Sequence, residues 1–151
     1  SIAGPMDNDL EDAINEAYSK DIIVVAATGN DGRNRLLYPA SYLNCISVGS
    51  INKSLDISPF SNYNVFMTMV APGEDIIFDI NGEKIKDSGT SFSAPLVSGT
   101  LALLKEKLKE ELGRKPEYSE LYNELIKNCV IVNNIDRIKQ GHGYLDFSAK
   151  A

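Results

Sequence analysis

The sequence predicts an α/β fold: a doubly wound, mostly parallel sheet with helices packed on both of its faces. Three features carry that expectation. Short apolar runs rich in β-branched residues recur without polar alternation, which suits parallel strands covered on both sides. Stretches with helical periodicity are interleaved with those runs. The chain has 151 residues, of which 43% are apolar and 24% charged, the size and composition of one globular domain spanning residues 1–151.

The elements follow in order. From Asp9 to Lys20 the apolar positions Leu10, Ala13, Ile14, Ala17 and Tyr18 share one helical face, with Asp9 as the expected cap of the first turn. Asp21 to Ala27 reads as a buried strand, Cys45 to Val48 as a second and Phe66 to Val70 as a third, each closed by a loop containing Gly, Pro or Asn. Asn81-Gly82 separates two strand-like stretches between Ile76 and Ile85, the signature of a two-residue hairpin. Ser91 to Leu112 is rich in helix formers, tolerates Pro95 in its first turn and stops at Gly113. Its first half, with Ala94, Leu96, Val97, Leu101, Ala102, Leu103 and Leu104, is apolar all round and predicts a buried central helix; Lys105 to Glu111 emerge into solvent. Ser119 is the expected cap of another helix reaching about Cys129. Gly141 to Phe147 reads as a glycine-rich turn entering a short strand.

Composition excludes several classes of function. A net charge of −6 without a Lys/Arg cluster offers no footprint for phosphate backbones, so no nucleic acid is expected as a partner, and anionic membrane surfaces are equally disfavoured. No apolar run reaches the roughly 18 residues needed to cross a bilayer. The two cysteines, Cys45 and Cys129, are too few for a disulfide scaffold and lie in no zinc-binding spacing; they read as buried thiols.

Two segments carry chemistry. Gly89-Thr90-Ser91-Phe92-Ser93-Ala94-Pro95 puts a hydroxyl where a loop enters a helix, and the unsatisfied N–H groups there favour developing negative charge. Ser91 is either a nucleophile or a helix cap. Thr28-Gly29-Asn30-Asp31-Gly32 follows a buried strand and places Asn30 at its carboxyl end, where ligands of parallel sheets bind. The Asn30 carboxamide suits an oxyanion donor, since its NH₂ carries no charge to desolvate; the same residues are also ordinary turn chemistry.

Together, GTSFSAP and VVAATGNDG resemble the nucleophile and oxyanion motifs of the subtilisin-like serine proteases, the subtilase family. Tyr38-Pro39, a pair that often carries a cis bond there, the MVAPG run from Met69 to Gly73 and the terminal GHGYLDF stand in the same order as in that family. The resemblance covers nearly the whole chain and implies the C-terminal half of a subtilase catalytic domain. It implies peptide-bond hydrolysis through an acyl-enzyme, with Ser91 attacking and Asn30 in the oxyanion hole. Ser1, Ile2, Ala3 and Gly4 would receive an extended polypeptide substrate by strand addition. Ala27, Thr28 and Gly29 would line the pocket for the residue before the scissile bond, and Asp31 at its rim hints at a preference for a basic side chain.

The family's Asp and His precede the oxyanion Asn by a long way, and this sequence does not contain them. Its one histidine, His142, stands in the terminal glycine turn and reads as a surface residue. A Ser, Asp, His order like that of α/β-hydrolases is not supported, because Ser91 is not set in G-x-S-x-G. The isolated chain is therefore expected to be inactive, to need the N-terminal half of the same protease, and to self-associate through open strand edges. A pseudoprotease that serves as a binding or regulatory module is the alternative. The chemistry itself needs no cofactor. The resemblance leaves room for a structural calcium held largely by carbonyls near Tyr38 to Leu43, without assigning ligands, and it favours a secreted or cell-surface address.

Overall fold

The computed structural model describes residues 1–148. Among them, helices α1 (Asn8–Ser19) and α2 (Thr90–Leu112) lie on opposite faces of a sheet built from β1 (Val24–Ala27), β2 (Cys45–Ile51), β3 (Met69–Pro72), β7 (Tyr144–Leu145) and β6 (Cys129–Val130), in that spatial order. β1, β2, β3 and β7 run parallel, and β6 closes the far edge antiparallel to β7. Helix α3 (Tyr118–Lys127) packs beside α2, and a single turn, α4 (Arg137–Gln140), precedes β7. The α/β class with a mostly parallel sheet and helices on both faces is thus the observed one.

Side-chain alternation along the strands builds two cores. Ala27, Ile46, Val48, Met69 and Ala71 point to Ala94, Val97, Leu101 and Leu104 of α2 and to Leu121 and Leu125 of α3. Ala26 and Cys45 point the other way, to Ile14 of α1 and to Ala40 and Tyr42. β2 is buried along its whole length, which explains its unbroken apolar and small-residue run. The hairpin forms as expected: β4 (Ile76–Ile80) pairs with β5 (Glu83–Asp87) through Asn81 and Gly82, whose φ values of 54° and 88° are those a tight primed turn requires.

Several boundaries differ from the sequence expectation. The first strand begins at Val24, because Asp21, at φ 54°, and Ile22 close the C-terminus of α1 by donating to Tyr18 O and Ala17 O. The third strand starts at Met69 rather than Phe66. Asp7, not Asp9, caps α1 by accepting from the Leu10 N–H at 2.9 Å. Glu117, not Ser119, caps α3 through a reciprocal capping box with Glu120, and Cys129 leaves the helix for β6. Most consequential is α2, whose first half is not buried all round. Leu96 is 48% and Leu103 75% exposed, because only the stripe through Ala94, Val97, Leu101 and Leu104 meets the sheet.

Cys45 is buried and Cys129 half-buried, both as free thiols. Burial pushes their pKa values up to about 12 and about 11, so both stay protonated and unreactive at neutral pH.

Candidate active site

The site forms where the carboxyl end of β1 meets the first turn of α2. Pairing with β2 continues one residue past β1, with Thr28 N–H donating to Val48 O at 3.1 Å. The chain then turns at Gly29, whose φ of +98° disfavours any residue with a Cβ. Asn62, fully buried, holds this turn: its Oδ1 accepts from the N–H groups of Asp31 (3.0 Å) and Arg33 (3.1 Å), and its Nδ2 donates to Thr28 O at 3.2 Å. The turn that presents Asn30 is therefore fixed by a side chain distant in sequence.

Helix α2 is anchored by the Gly89 N–H, which donates to Gly73 O at 2.7 Å just beyond β3. Gly89 is the N-cap residue, which leaves Ser91 as the second helical residue and not its cap. The Ser91 N–H is one of the first-turn donors for which the helix supplies no acceptor, and the positive end of the helix lies there.

Thr90 joins the two elements. Asn30 Oδ1 accepts from the Thr90 N–H at 2.9 Å and from its hydroxyl at 2.8 Å, while Thr90 Oγ1 accepts from the Gly29 N–H at 3.2 Å. A backbone N–H can only donate, so the carboxamide oxygen must face Thr90 and the NH₂ must point elsewhere. That Nδ2 lies 3.4 Å from where a Cβ on Gly89 would sit.

A cavity of about 240 Å³ opens at this junction. Ser1, Ile2 and Ala3 form one wall, Ala27, Gly29, Asn30, Asp31 and Leu37 another, and Thr90 and Ser91 the third. Ser1 Oγ also donates to Ser91 O at 3.4 Å, tying the first wall to the helix. Eight of the ten residues singled out in the sequence therefore share one cavity with Ser91 or include it; Gly4 and Thr28 do not line it. Both backbone polar groups of Gly4 are taken by Tyr38, each at 3.0 Å, so they are not free to receive another strand. Thr28 is buried behind the cavity. Thr90, Asn62 and Leu37 are the participants the sequence reading missed. Thr90 stands inside the nucleophile motif, whereas Asn62 and Leu37 carry no local signal.

Asp31 lines the cavity and has partners of its own. Asp31 accepts from Asn62 Nδ2 at 3.4 Å and pairs with Arg35 at 2.9 Å; these bonds, with Arg33 nearby, hold its pKa below the usual carboxylate value. His142 is remote from this cavity and lines a different groove with Asn64, Val65 and Arg137. Partial burial and then Arg137 lower its pKa. The carbonyls of Leu37, Tyr38, Pro39 and Tyr42 each already accept a backbone N–H. Among the described residues no three His, Cys, Asp or Glu side chains gather into a cation site. Each of those loop carbonyls keeps a second lone pair, so their bonds do not preclude a calcium held largely by carbonyls; no chemical step below uses a metal cation.

The model of the subtilase family matches residues 3–143. The chain belongs to the subtilase family. It is 38% identical over 156 aligned positions to the major intracellular serine protease of Bacillus subtilis strain 168, covering 99% of this chain and 49% of that protein. It is equally 38% identical to an intracellular serine protease of Paenibacillus polymyxa, covering 99% of this chain and 48% of that one. The chain thus spans about half the length of these curated relatives. Among solved subtilase-like structures, the prenylagaramide maturation protease PagA superposes with a TM-score of 0.83 at 35% identity, covering 97% of this chain and 55% of that one. The Tyr38-Pro39 bond is cis, as the resemblance implied. Because these two subtilases are named as intracellular, membership does not by itself assign a secreted address. No helix among the described residues is long and apolar enough to cross a membrane.

Proposed function

We propose that this chain supplies the nucleophile and the oxyanion donors of a serine endopeptidase that cleaves polypeptides through an acyl-enzyme. The supporting observation is the single cavity shared by Ser91 and an Asn30 whose carboxamide oxygen is fully engaged by Thr90. Ser91 Oγ attacks the scissile carbonyl carbon and its proton passes to an imidazole base. The carbonyl oxygen, now an oxyanion, accepts from Asn30 Nδ2 and the Ser91 N–H. Collapse of the tetrahedral adduct expels the amine, which takes the proton from the imidazolium, and water then hydrolyses the ester.

His142 is not placed to be that base. The triad Asp and His come from the N-terminal half of the same protease, seated on the open edge of β1 and on the exposed face of α2. Residues 1–3 receive the extended substrate, with Gly4 pinned to Tyr38 as their anchor. By itself the 151-residue chain does not hydrolyse peptides.

A fluorophosphonate probe tests this. The isolated chain should give no burst, and the catalytically complete protease should be labelled on Ser91 and lose labelling in Ser91→Ala. A burst from the isolated chain that disappears in Ser91→Ala would contradict the need for an outside base. An unlabelled Ser91 in the complete protease would instead favour a scaffold that only binds.

A further inference from the structure

We propose that Asn62 is a positioning residue of the reaction: its buried carboxamide fixes the turn that carries Asn30, so that the Asn30 NH₂ stands where the oxyanion forms. This rests on the peptidase reading given above, and it adds a residue that does not itself line the cavity.

The turn needs such a support. Gly29 and Gly32 both take positive φ, +98° and +66°, and glycine imposes little conformational preference of its own, so Asn30 and Asp31 lie between two soft joints. Backbone bonds fasten the flanks: Gly29 O accepts from the Asn62 N–H at 3.0 Å, the Gly32 N–H donates to Phe60 O at 2.7 Å, and Arg33 O accepts from the Tyr63 N–H at 3.1 Å. Among the described residues no backbone–backbone bond reaches Asn30 or Asp31.

One side chain holds the interior instead. Asn62 Oδ1 accepts from the N–H groups of Asp31 at 3.0 Å and Arg33 at 3.1 Å, and Nδ2 donates to Thr28 O at 3.2 Å and to Asp31 Oδ2 at 3.4 Å. A carboxamide has two lone pairs on its oxygen and two hydrogens on its nitrogen, so Asn62 commits every one of them to residues 28–33. A satisfied buried network of this kind stiffens what it joins. Asn62 Nδ2 also lies 2.6 Å from where a Cβ on Gly29 would stand, so it packs directly against the residue before Asn30.

Thr90 and Asn62 then have separate tasks. Thr90 decides which way the Asn30 carboxamide faces, and Asn62 decides where the backbone that carries it stands. A displacement of about 1 Å in a catalytic group can cost on the order of 100-fold in rate. The oxyanion donor acts on charge that exists only in the transition state, so loss of Asn62 should fall mainly on kcat.

The test is a double-mutant cycle in the catalytically complete protease, with kcat expressed per site labelled by a fluorophosphonate so that unfolded enzyme does not count. Asn62→Ala, or Asn62→Ser where the alanine variant folds poorly, should lower kcat by about 10- to 100-fold and change KM by less than about threefold. In an Asn30→Ala background the same substitution should cost less than about twofold, because the donor it positions is gone. Asn64→Ala is the structural comparator: Asn64 is equally buried, but its bonds go to Arg35 O, Ser41 Oγ and the Phe66 N–H, outside the turn. It should lower Tm and leave kcat within about twofold.

An unchanged kcat in both Asn62 variants, a loss carried by KM alone, or an equal loss with and without Asn30 would overturn the proposal. A wild-type Ser91 that takes no fluorophosphonate sinks the peptidase reading and this assignment with it. A labelled enzyme whose losses simply add sinks only the role of Asn62.

Discussion

The carboxamide oxygen of Asn30 accepts two hydrogen bonds from Thr90, one from its N–H at 2.9 Å and one from its hydroxyl at 2.8 Å. These bonds join the tip of a buried strand to the first turn of a helix across 60 residues of sequence. They also decide which end of the carboxamide is available. With the oxygen committed, the NH₂ is the group left to stabilise a negative charge, and it is held without cost at the moment of reaction.

Removing that donor should therefore damage turnover and spare binding. In the catalytically complete protease, Asn30→Ala is expected to lower kcat by roughly 100- to 1000-fold with little change in KM. Subtilisin, a member of this family, sets that range for the matching asparagine. Thr90→Val keeps the shape and the N–H bond but deletes the hydroxyl, and should cost about tenfold or more, since the bond it donates to Asn30 and the one it accepts from Gly29 are both lost. Steady-state kinetics separate kcat from KM, and an Asn30→Ala enzyme of unchanged kcat would contradict the role given to the carboxamide.

Acid should act on the start of α3. The Arg114 guanidinium bonds both oxygens of Glu120, at 2.8 and 2.7 Å, and the Glu117 N–H donates to one of them at 2.8 Å. Arg114 and then that N–H bring the Glu120 pKa down to about 2 from 4.5. A pKa depressed by folding contributes stability that is present above the unfolded value of 4.5 and is lost as pH falls through about 2. Titration of the Glu120 carboxyl by NMR should follow this, and Arg114→Ala should move the midpoint back up. A wild-type midpoint near 4.5 would contradict the pairing.

Self-association is expected of the isolated chain. β1 lies at one end of the sheet with a neighbour on one side only, and the exposed apolar residues Leu96 (48%) and Leu103 (75%) stand on one helix. Sedimentation velocity should show concentration-dependent oligomers that Leu103→Lys reduces. A clean monomer at high concentration would count against it.

Local signals were legible where chemistry and conformation coincide in adjacent residues. Asn81-Gly82 announced its hairpin, the β-branched runs announced the parallel strands, and Ser91 and Asn30 announced themselves through motifs a few residues long. Cap positions were harder, because Asp7 and Asp9 are chemically alike and only the backbone angles select one. Exposure of Leu96 and Leu103 was illegible for a different reason: periodicity describes a helix face but not which neighbours cover it. Asn62 reaches Thr28 O across 34 residues, and Leu37 meets Gly29 only after the chain has folded. Such partners are set by topology and leave no local trace.

In the proposed reaction Ser91 and Asn30 serve one carbonyl oxygen. A crystal structure of the catalytically complete protease inactivated by a peptidyl fluorophosphonate measures that most directly. A bond from Ser91 Oγ to phosphorus is expected, with a phosphonyl oxygen about 2.7–3.1 Å from Asn30 Nδ2. An adduct on another residue, or one on Ser91 whose oxygen turns away from Asn30, would contradict it.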